Sequence, residues 1–183
     1  MSMRPGATTS DGDLDLVRRF CAAGDETAFR ALHARHSPAV YALLRRLVGP
    51  EAEDALQETW MRAARRLHGF RGDSAVRTWL FAIALNAARE VWRDRDPAGV
   101  PQPEPRQAPG RESALDLEQA VGALAPGYRA VLLLHDSWGY THAEVGALLG
   151  VDEGTSKSQL AHARAAVRRR LAGHAAAQTG GPS

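Results

Sequence analysis

Apolar residues recur every three or four positions along most of the chain, and this spacing predicts helices. Val145, Leu148 and Leu149 form one such stripe, and no stretch shows the strict alternation of a strand. The pattern therefore predicts an all-α fold. The predicted helices are 13–23, 26–48 with a kink or break at Ser37–Pro38, 51–67, 76–95, 113–124, 126–136, 141–149 and a last helix that follows Asp152. We expect residues 1–11 and the tail after Leu171 to be disordered.

The composition changes after residue 95, where the stretch DPAGVPQPEPRQAPG holds five prolines and few residues that could fill a core. A chain of this composition is semi-extended and acts as a linker. The linker, residues 96–111, divides the chain into a front part, residues 13–95, and a rear part, residues 112–172. Each part is shorter than about 100 residues, so each is expected to be a small helical domain with a modest core.

Two of the predicted helices are joined by a glycine turn in the rear part. Thr141 can cap the first of them, and Glu144 completes a capping box. Gly150 supplies the left-handed position that ends this helix, and Asp152 can cap the next. Helices joined in this way, the second with a polar outer face, indicate a helix-turn-helix whose second helix lies in the DNA major groove. The candidate DNA contacts are Thr155, Ser156, Lys157, Gln159, His162 and Arg164.

A basic helical hairpin also has a simpler interpretation, in which two packed helices present a solvated face. Lys157 favours DNA binding because it is the only lysine and lies near the start of the second helix, where a recognition helix contacts bases and phosphates. The chain carries 23 basic and 21 acidic side chains, for a net charge of +2, yet arginines cluster in 62–95 and 164–170. Such local basic patches predict a polyanionic partner.

The helix predicted from Glu51 is acidic at its start and basic at its end, as the helix dipole favours. Asp54, Gln57, Glu58 and Met61 recur there in steps of three and four and lie on adjoining parts of its surface. A carboxylate strip with one methionine suits a partner helix that carries arginine. A solvated acidic helix is the alternative, and this strip alone does not decide between the two.

Aromatic and basic residues interleave in the predicted loop 68–75 and in the long helix after it. Aromatic faces stack on unpaired bases and arginines neutralise the backbone, so such a surface can hold a single DNA strand. The candidate contacts are Phe70, Arg71, Arg77, Trp79, Asn86 and Arg89. The alternative is that the aromatic residues at helical spacing, Trp79, Phe81 and Trp92, belong to the core.

Four phrases of the chain are similar, in this order, to one known family. They are GDETAFRALHARHSPAVYALLRRLVG, EAEDALQETWMRAARRLHGFRG, RTWLFAIALNAAREVWR and LAPGYRAVLLLHDSWGYTHAEVGALLGVDEGTSKSQLAHARAAVRRRL. Together they resemble the bacterial sigma-70 family, specifically its small extracytoplasmic function (ECF) group, over nearly all of residues 13–172. The resemblance implies a sigma region 2-like helical bundle in front and a region 4-like helix-turn-helix behind, joined by the proline-rich linker.

The resemblance also implies what each surface does. Asp54, Gln57, Glu58 and Met61 would bind the clamp helices of the largest subunit of core RNA polymerase. The loop and long helix that carry the six single-strand candidates would recognise and melt the promoter −10 element. The helix-turn-helix would bind the −35 element as a duplex, and a cognate anti-sigma protein is a further expected partner.

The start of the recognition helix departs from the family pattern, which is often GTVKSRL and is GTSKSQL here. Ser156 replaces an apolar residue, and Gln159 replaces an arginine. Both changes bear on the −35 sequence preference, because the amide of Gln159 could bind adenine or contact a phosphate.

The remaining observations exclude other classes of protein. Cys21 is the only cysteine, so no intramolecular disulfide can form, and its spacing from His33 and His36 matches no familiar zinc pattern. We expect no metal and no cofactor. No apolar run approaches the roughly 20 residues that span a bilayer, and the N-terminus lacks the apolar core of a secretion signal. We therefore expect a cytoplasmic protein with no membrane insertion.

Two alternative functions stay open. A free-standing helix-turn-helix regulator would bind its operator as a dimer, but it would leave the acidic helix unexplained. An enzyme is the second alternative, and His135, Asp136 and His142 are its only hints. No phosphate loop, nucleophile elbow or metal-ligand pair accompanies them, so we expect a protein without catalytic activity.

Overall fold

The computed structural model describes residues 11–95 and 113–179, and these residues form eight α-helices and no strand. The predicted all-α fold is confirmed. The helices are α1 (Asp11–Ala23), α2 (Glu26–Val48), α3 (Ala52–Arg66), α4 (Val76–Arg95), α5 (Ser113–Gly122), α6 (Pro126–Leu132), α7 (His142–Leu149) and α8 (Glu153–Thr179). The predicted linker and almost all of the predicted disordered N-terminus lie outside the described residues.

Helices α1 to α4 form the front bundle. Asp25 caps α2, since its side chain accepts hydrogen bonds from the backbone N–H groups of Thr27 and Ala28 at 2.9 and 3.2 Å. Of the predicted kink or break at Ser37–Pro38 the break is wrong, because α2 runs through Pro38 without interruption. Proline removes one helical hydrogen bond, but the fully buried Val40 and its neighbours hold this part of α2 in the core.

Charged side chains join the outer faces of this bundle. Arg62 of α3 donates to Glu90 of α4 at 2.8 and 2.5 Å, and Arg95 at the end of α4 pairs with Glu51 before α3. Glu51 lies in the short 3-10 turn Gly49–Glu51, which separates α2 from α3. These links fix the direction of α3 and therefore the orientation of its outer surface.

Helices α5 to α8 form the rear unit and contain the helix-turn-helix, α7 and α8. The predicted capping box is confirmed: Thr141 accepts from the Glu144 N–H at 3.3 Å, and Glu144 accepts from the Thr141 N–H at 2.8 Å. Gly150 has a φ of 71°, as the predicted left-handed turn requires. A Cβ atom on Gly146 would lie 2.6 Å from the Val151 carbonyl oxygen, so the turn folds back closely on α7.

Two predicted ends differ in the rear unit. The helix predicted for 126–136 is α6 followed by a π-helical segment, Leu133–Ser137. The tail predicted to be disordered after Leu171 is helical as far as Thr179. This extension is rich in alanine, which has the highest intrinsic helix propensity.

The two helical units pack against each other along α4. The rings of Phe81 and Trp138 meet edge to face at 4.9 Å. Tyr140 is only 1% exposed, and its hydroxyl lies 3.1 Å from the Thr78 hydroxyl. The Arg129 guanidinium donates to the Leu47 carbonyl oxygen at 2.7 Å. The contact therefore buries aromatic rings and ties side chains of each unit to the other.

Candidate protein and nucleic-acid interfaces

The outer face of α3 carries the predicted protein-binding strip. Asp54, Gln57 and Met61 are exposed there, with Met61 at 41%. Glu58 is half-buried and accepts a hydrogen bond at 2.6 Å from Arg62, which also binds Glu90. The hydrogen bonds that Arg62 donates to Glu90 and then to Glu58 raise its pKa above the usual range. Three of the four predicted residues are thus presented outward, and Glu58 lies at the edge of the strip in an ion network.

An apolar groove of about 420 Å³ lies directly beside this strip, between α2 and α3. The Trp60 ring in it packs on His33 at 4.7 Å and on the edge of Phe29 at 5.7 Å. The indole N–H of Trp60 is buried and has no hydrogen-bond partner among the described residues. The groove is lined by Phe29, His33, Glu53, Leu56, Gln57, Trp60, Met61 and Ala64.

Sequence reasoning missed part of this surface. Glu53 is exposed and four residues before Gln57, so helical spacing places it on the same face and was a signal that could have found it. Phe29 and His33 come from α2, and no local pattern links them to α3. Their place in the groove depends on how the two helices pack.

The six single-strand candidates fall into two groups. Phe70 and Trp79 are half-buried and pack on each other at 5.4 Å between ring centroids. Arg71 is 84% exposed at its side chain and lies 3.3 Å from Asp73. These residues form one cluster at the loop before α4, with an aromatic pair beside an exposed arginine.

The other group lies farther along α4, at the contact with the rear unit. The Arg77 guanidinium lies 5.9 Å from the centre of the Trp138 ring, and its Nε atom is buried with no partner among the described residues. Arg89 donates to the Leu149 carbonyl oxygen and to the Asn86 side chain, both at 2.7 Å. Two of the predicted strand-binding arginines are therefore engaged by the rear unit or at its edge in this arrangement.

The recognition helix α8 presents cations that already have acidic neighbours. Lys157 is exposed and lies 2.6 Å from Glu153. Arg164 is exposed and makes two hydrogen bonds to Asp136, at 3.0 and 2.6 Å. The bonds from Arg164 and His135 outweigh the effect of burial and lower the pKa of Asp136. Two cations of this face are thus paired with carboxylates of the rear unit.

The other predicted duplex contacts differ in how far they are exposed. His162 is exposed and stacks on Tyr128 at 6.1 Å, whereas Gln159 is half-buried. Thr155 donates its hydroxyl hydrogen to the helix cap Asp152 at 2.6 Å. This bond, followed by the Thr155 backbone N–H, lowers the pKa of Asp152.

The prediction that Ser156 lies on the outer face is wrong. Ser156 is 0% exposed, and its hydroxyl lies 3.0 Å from the His142 ring nitrogen Nδ1. The reason is helical spacing, which places position 156 on the same face as the buried Leu160 and Val167. The same spacing identifies exposed residues that sequence reasoning missed on the outer face, namely Ser158, Ala161 and Arg168.

The residues that hinted at an enzyme belong to the packing of the helix-turn-helix. His135 lies 2.8 Å from Asp136, and His142 is held by Ser156. Within 11–95 and 113–179, no three histidine, cysteine or acidic side chains are grouped as a metal site would need. Among the helices in these ranges, none has the length and apolarity to cross a membrane.

Comparison with known proteins identifies the family of the two helical units. Residues 32–97 match the sigma-70 region 2 family, and residues 114–167 match the sigma-70 region 4 family. The chain is 35% identical to the ECF RNA polymerase sigma factor SigM of Mycobacterium tuberculosis, over 81% of this chain and 80% of SigM.

Two solved structures are similar in fold. CnrH, in complex with the cytosolic domain of CnrY, has a TM-score of 0.65 and 28% identity, over 89% of this chain and 99% of CnrH. The sigma factor RpoE, in complex with the anti-sigma factor NepR from Bartonella quintana, has a TM-score of 0.64 and 27% identity, over 78% of this chain and 96% of RpoE. The chain therefore belongs to the ECF group of the sigma-70 family, whose members bind core RNA polymerase and direct promoter-specific transcription initiation.

Proposed function

We propose that this sigma factor binds the clamp helices of the largest polymerase subunit through the exposed face of α3. The observation that carries the proposal is the arrangement of Asp54, Gln57 and Met61 beside an open apolar groove. Carboxylates suit arginines of a partner helix, and methionine and the groove suit its apolar side chains. Glu58 contributes at the edge, where Arg62 fixes its carboxylate.

The two DNA elements are assigned to the two units. Residues 112–172 bind the −35 duplex through the outer face of α8, with Lys157 and Arg164 on phosphates. Residues 13–95 bind the melted −10 strand, with stacking on Phe70 and Trp79 and charge from Arg71. Among the remaining −10 candidates Asn86 is exposed, whereas Arg77 and Arg89 reach a strand only after α4 parts from the rear unit, because they contact Trp138 and Leu149. The duplex candidates that complete the outer face of α8 are Thr155, Gln159 and His162.

An anti-sigma protein is proposed as the partner that controls this chain. The similar RpoE is in complex with an anti-sigma factor, and this chain is similar to it over most of its length. We further propose that the chain acts in the cytoplasm as a dissociable subunit of RNA polymerase, without catalytic activity of its own.

Replacing α3 surface residues tests the core of this proposal. The double variant Asp54→Arg with Gln57→Arg places like charge against the arginines of the partner, and we expect core binding to fall about tenfold or more. Purified core polymerase is retained on the immobilised chain, and run-off transcription is measured in parallel. Glu26→Arg is the matched control, because Glu26 is an exposed carboxylate elsewhere on the bundle.

The outcomes separate the proposal from its rival. Unchanged retention of core polymerase by the double variant, together with a normal circular dichroism spectrum, would refute the α3 interface. A free-standing regulator would instead elute as a dimer in gel filtration, retain no core polymerase and give no run-off product.

A further inference from the structure

Two histidines stack on each other beside the start of the recognition helix. His135, in the segment after α6, and His142, the first residue of α7, lie 4.5 Å apart between ring centroids with an angle of 26° between their planes. His142 lies 3.0 Å from the Ser156 hydroxyl on α8. His135 lies 2.8 Å from Asp136, which in turn holds Arg164 of α8. The pair is thus joined to the recognition helix at two points.

Both connections depend on polar groups of this chain. The family phrase GTVKSRL has an apolar residue where this chain has Ser156, and an apolar side chain would offer His142 no hydrogen-bond partner. A buried hydroxyl next to an imidazole is maintained only when the two satisfy each other, because an unpaired buried hydroxyl is costly. The ring of His142 is therefore held in a defined position against α8.

Charged groups of α8 and of the segment Leu133–Ser137 surround the pair. Lys157 and Arg164 supply positive charge, whereas Glu153 and Asp136 supply negative charge and are themselves bonded to these two cations. Burial, and then the positive charges of His135, Lys157 and Arg164, lower the pKa of His142, with Glu153 acting against them. His142 takes up a proton more readily when a further negative charge approaches its ring.

Duplex DNA would bring that negative charge. In a helix-turn-helix complex the first helix crosses the sugar-phosphate backbone while the second enters the groove. His142 begins the first helix and adjoins Lys157 and Arg164, the cations assigned above to phosphates. A phosphate that meets these cations would therefore also lie close to the histidine pair.

We propose that His135 and His142 form a protonatable phosphate contact at the edge of the recognition helix, so that binding of duplex DNA is accompanied by uptake of a proton. The inference rests on the proposed function of α8 as a duplex-binding helix. It adds a pair of contact residues and a pH dependence that this function alone does not require. The chemical class of ligand is the phosphodiester backbone, and base sequence is not involved.

A histidine titration by NMR tests the proposal directly. The full chain carries ¹³C-labelled histidine, and each ring is followed between pH 5.5 and 8.5 (roughly the range in which imidazoles titrate) with and without a short mixed-sequence DNA duplex at low salt. His142→Gln and His135→Gln assign the signals. We expect the pKa of His142 to rise when the duplex binds. The affinity for the duplex should then rise as the pH is lowered, by about tenfold for each unit of that increase.

Variants show which histidine causes the pH dependence of duplex binding. His142→Gln should remove most of it while the protein stays folded by circular dichroism. His68→Gln is the matched control, because His68 is exposed in the front unit and should leave the pH profile as in the wild type. Wild-type pH dependence in His142→Gln, or a His142 pKa that the duplex does not change, would overturn the proposal.

The same experiment separates this inference from the proposed function. Binding at pH 8, where histidine is neutral, tests duplex binding by α8 alone. Salt-dependent binding at pH 8 without proton uptake would refute only the histidine contact. No binding at any pH would refute both.

Discussion

The α3 surface of the front unit and the α8 surface of the rear unit differ in what their charged residues do. On α3, Asp54 is exposed beside Gln57, Met61 and an open apolar groove. On α8, Lys157 and Arg164 each lie 2.6 Å from a carboxylate of the rear unit. The proposed protein-binding surface therefore presents the charge of Asp54 to a partner, whereas Lys157 and Arg164 of the proposed DNA-binding surface are paired with carboxylates.

The difference has a consequence for recognition. A partner helix would meet α3 without first breaking an ion pair of Asp54 or a hydrogen bond of Gln57 seen in the described residues, so the proposed polymerase contact is preorganised. Phosphates would instead have to displace the carboxylates paired with Lys157 and Arg164, namely Glu153 of α8 and Asp136 of the segment Leu133–Ser137. These two carboxylates offset positive charge on this surface. They therefore weaken the sequence-independent attraction of the free chain for DNA.

The largest expected effect is on the stability of the helix-turn-helix in the rear unit. In Gly146→Ala the new Cβ would lie 2.6 Å from the Val151 carbonyl oxygen, and the helix-turn-helix must open to accommodate it. We expect the free energy of unfolding to fall by about 1–3 kcal/mol, with loss of duplex binding but retention of core polymerase binding. Urea unfolding measures the change.

Gly122→Ala is the control for this variant, because a Cβ at Gly122 meets no atom within 4 Å. Equal stability of the two alanine variants would contradict the close turn at Gly146. Loss of core polymerase binding in Gly146→Ala would show that the two surfaces are not independent.

A smaller effect is expected on duplex binding when the charges on α8 are changed. Lys157→Ala should weaken duplex binding and reduce the slope of its salt dependence by about one unit, because one phosphate contact is lost. Glu153→Gln should act in the opposite direction and strengthen binding a few-fold, since it frees Lys157 from its neighbour. Fluorescence anisotropy over a salt series measures both. An unaltered slope in Lys157→Ala would remove Lys157 from the interface, and Glu26→Gln controls for a change in net charge.

The smallest expected effect is a pH dependence of the front bundle. His36 is buried beside Asp13 at 3.2 Å, and burial lowers its pKa below the usual 6.5 despite the nearby carboxylate. Below this usual pKa the unfolded chain binds more protons than the folded one, so the free energy of unfolding should decrease as the pH falls from about 6.5. Urea unfolding at several pH values measures it. His36→Gln should flatten this decrease relative to His68→Gln, and an equal decrease in both variants would contradict the assignment.

Local rules predicted most of the helices and their ends. The caps at Asp25, Thr141 and Gly150 follow from interactions within four residues, and all three are present. The exposed face of α3 also follows from spacing along one helix. The prediction for Ser156 was wrong because its polar side chain indicated exposure, whereas its position lies on the buried face of α8. Spacing alone would have corrected it.

The remaining features of the fold and of the candidate surfaces depend on contacts between residues distant in the chain. Arg62 pairs with Glu90 because α3 packs on α4, and Arg89 meets Leu149 because α4 packs on the rear unit. The stacking of His135 on His142 likewise requires the segment after α6 to meet α7.

The amino-acid sequence by itself determined the helices, the helix-turn-helix and the family, because helical periodicity, capping and motif spacing act over a few neighbouring residues. Only the tertiary structure decided which charged side chains pair between elements distant in the chain, as Arg62 does with Glu90 and Arg164 with Asp136. The physical reason is that an ion pair or a stacked ring depends on where two helices meet, and that position results from the packing of the whole core.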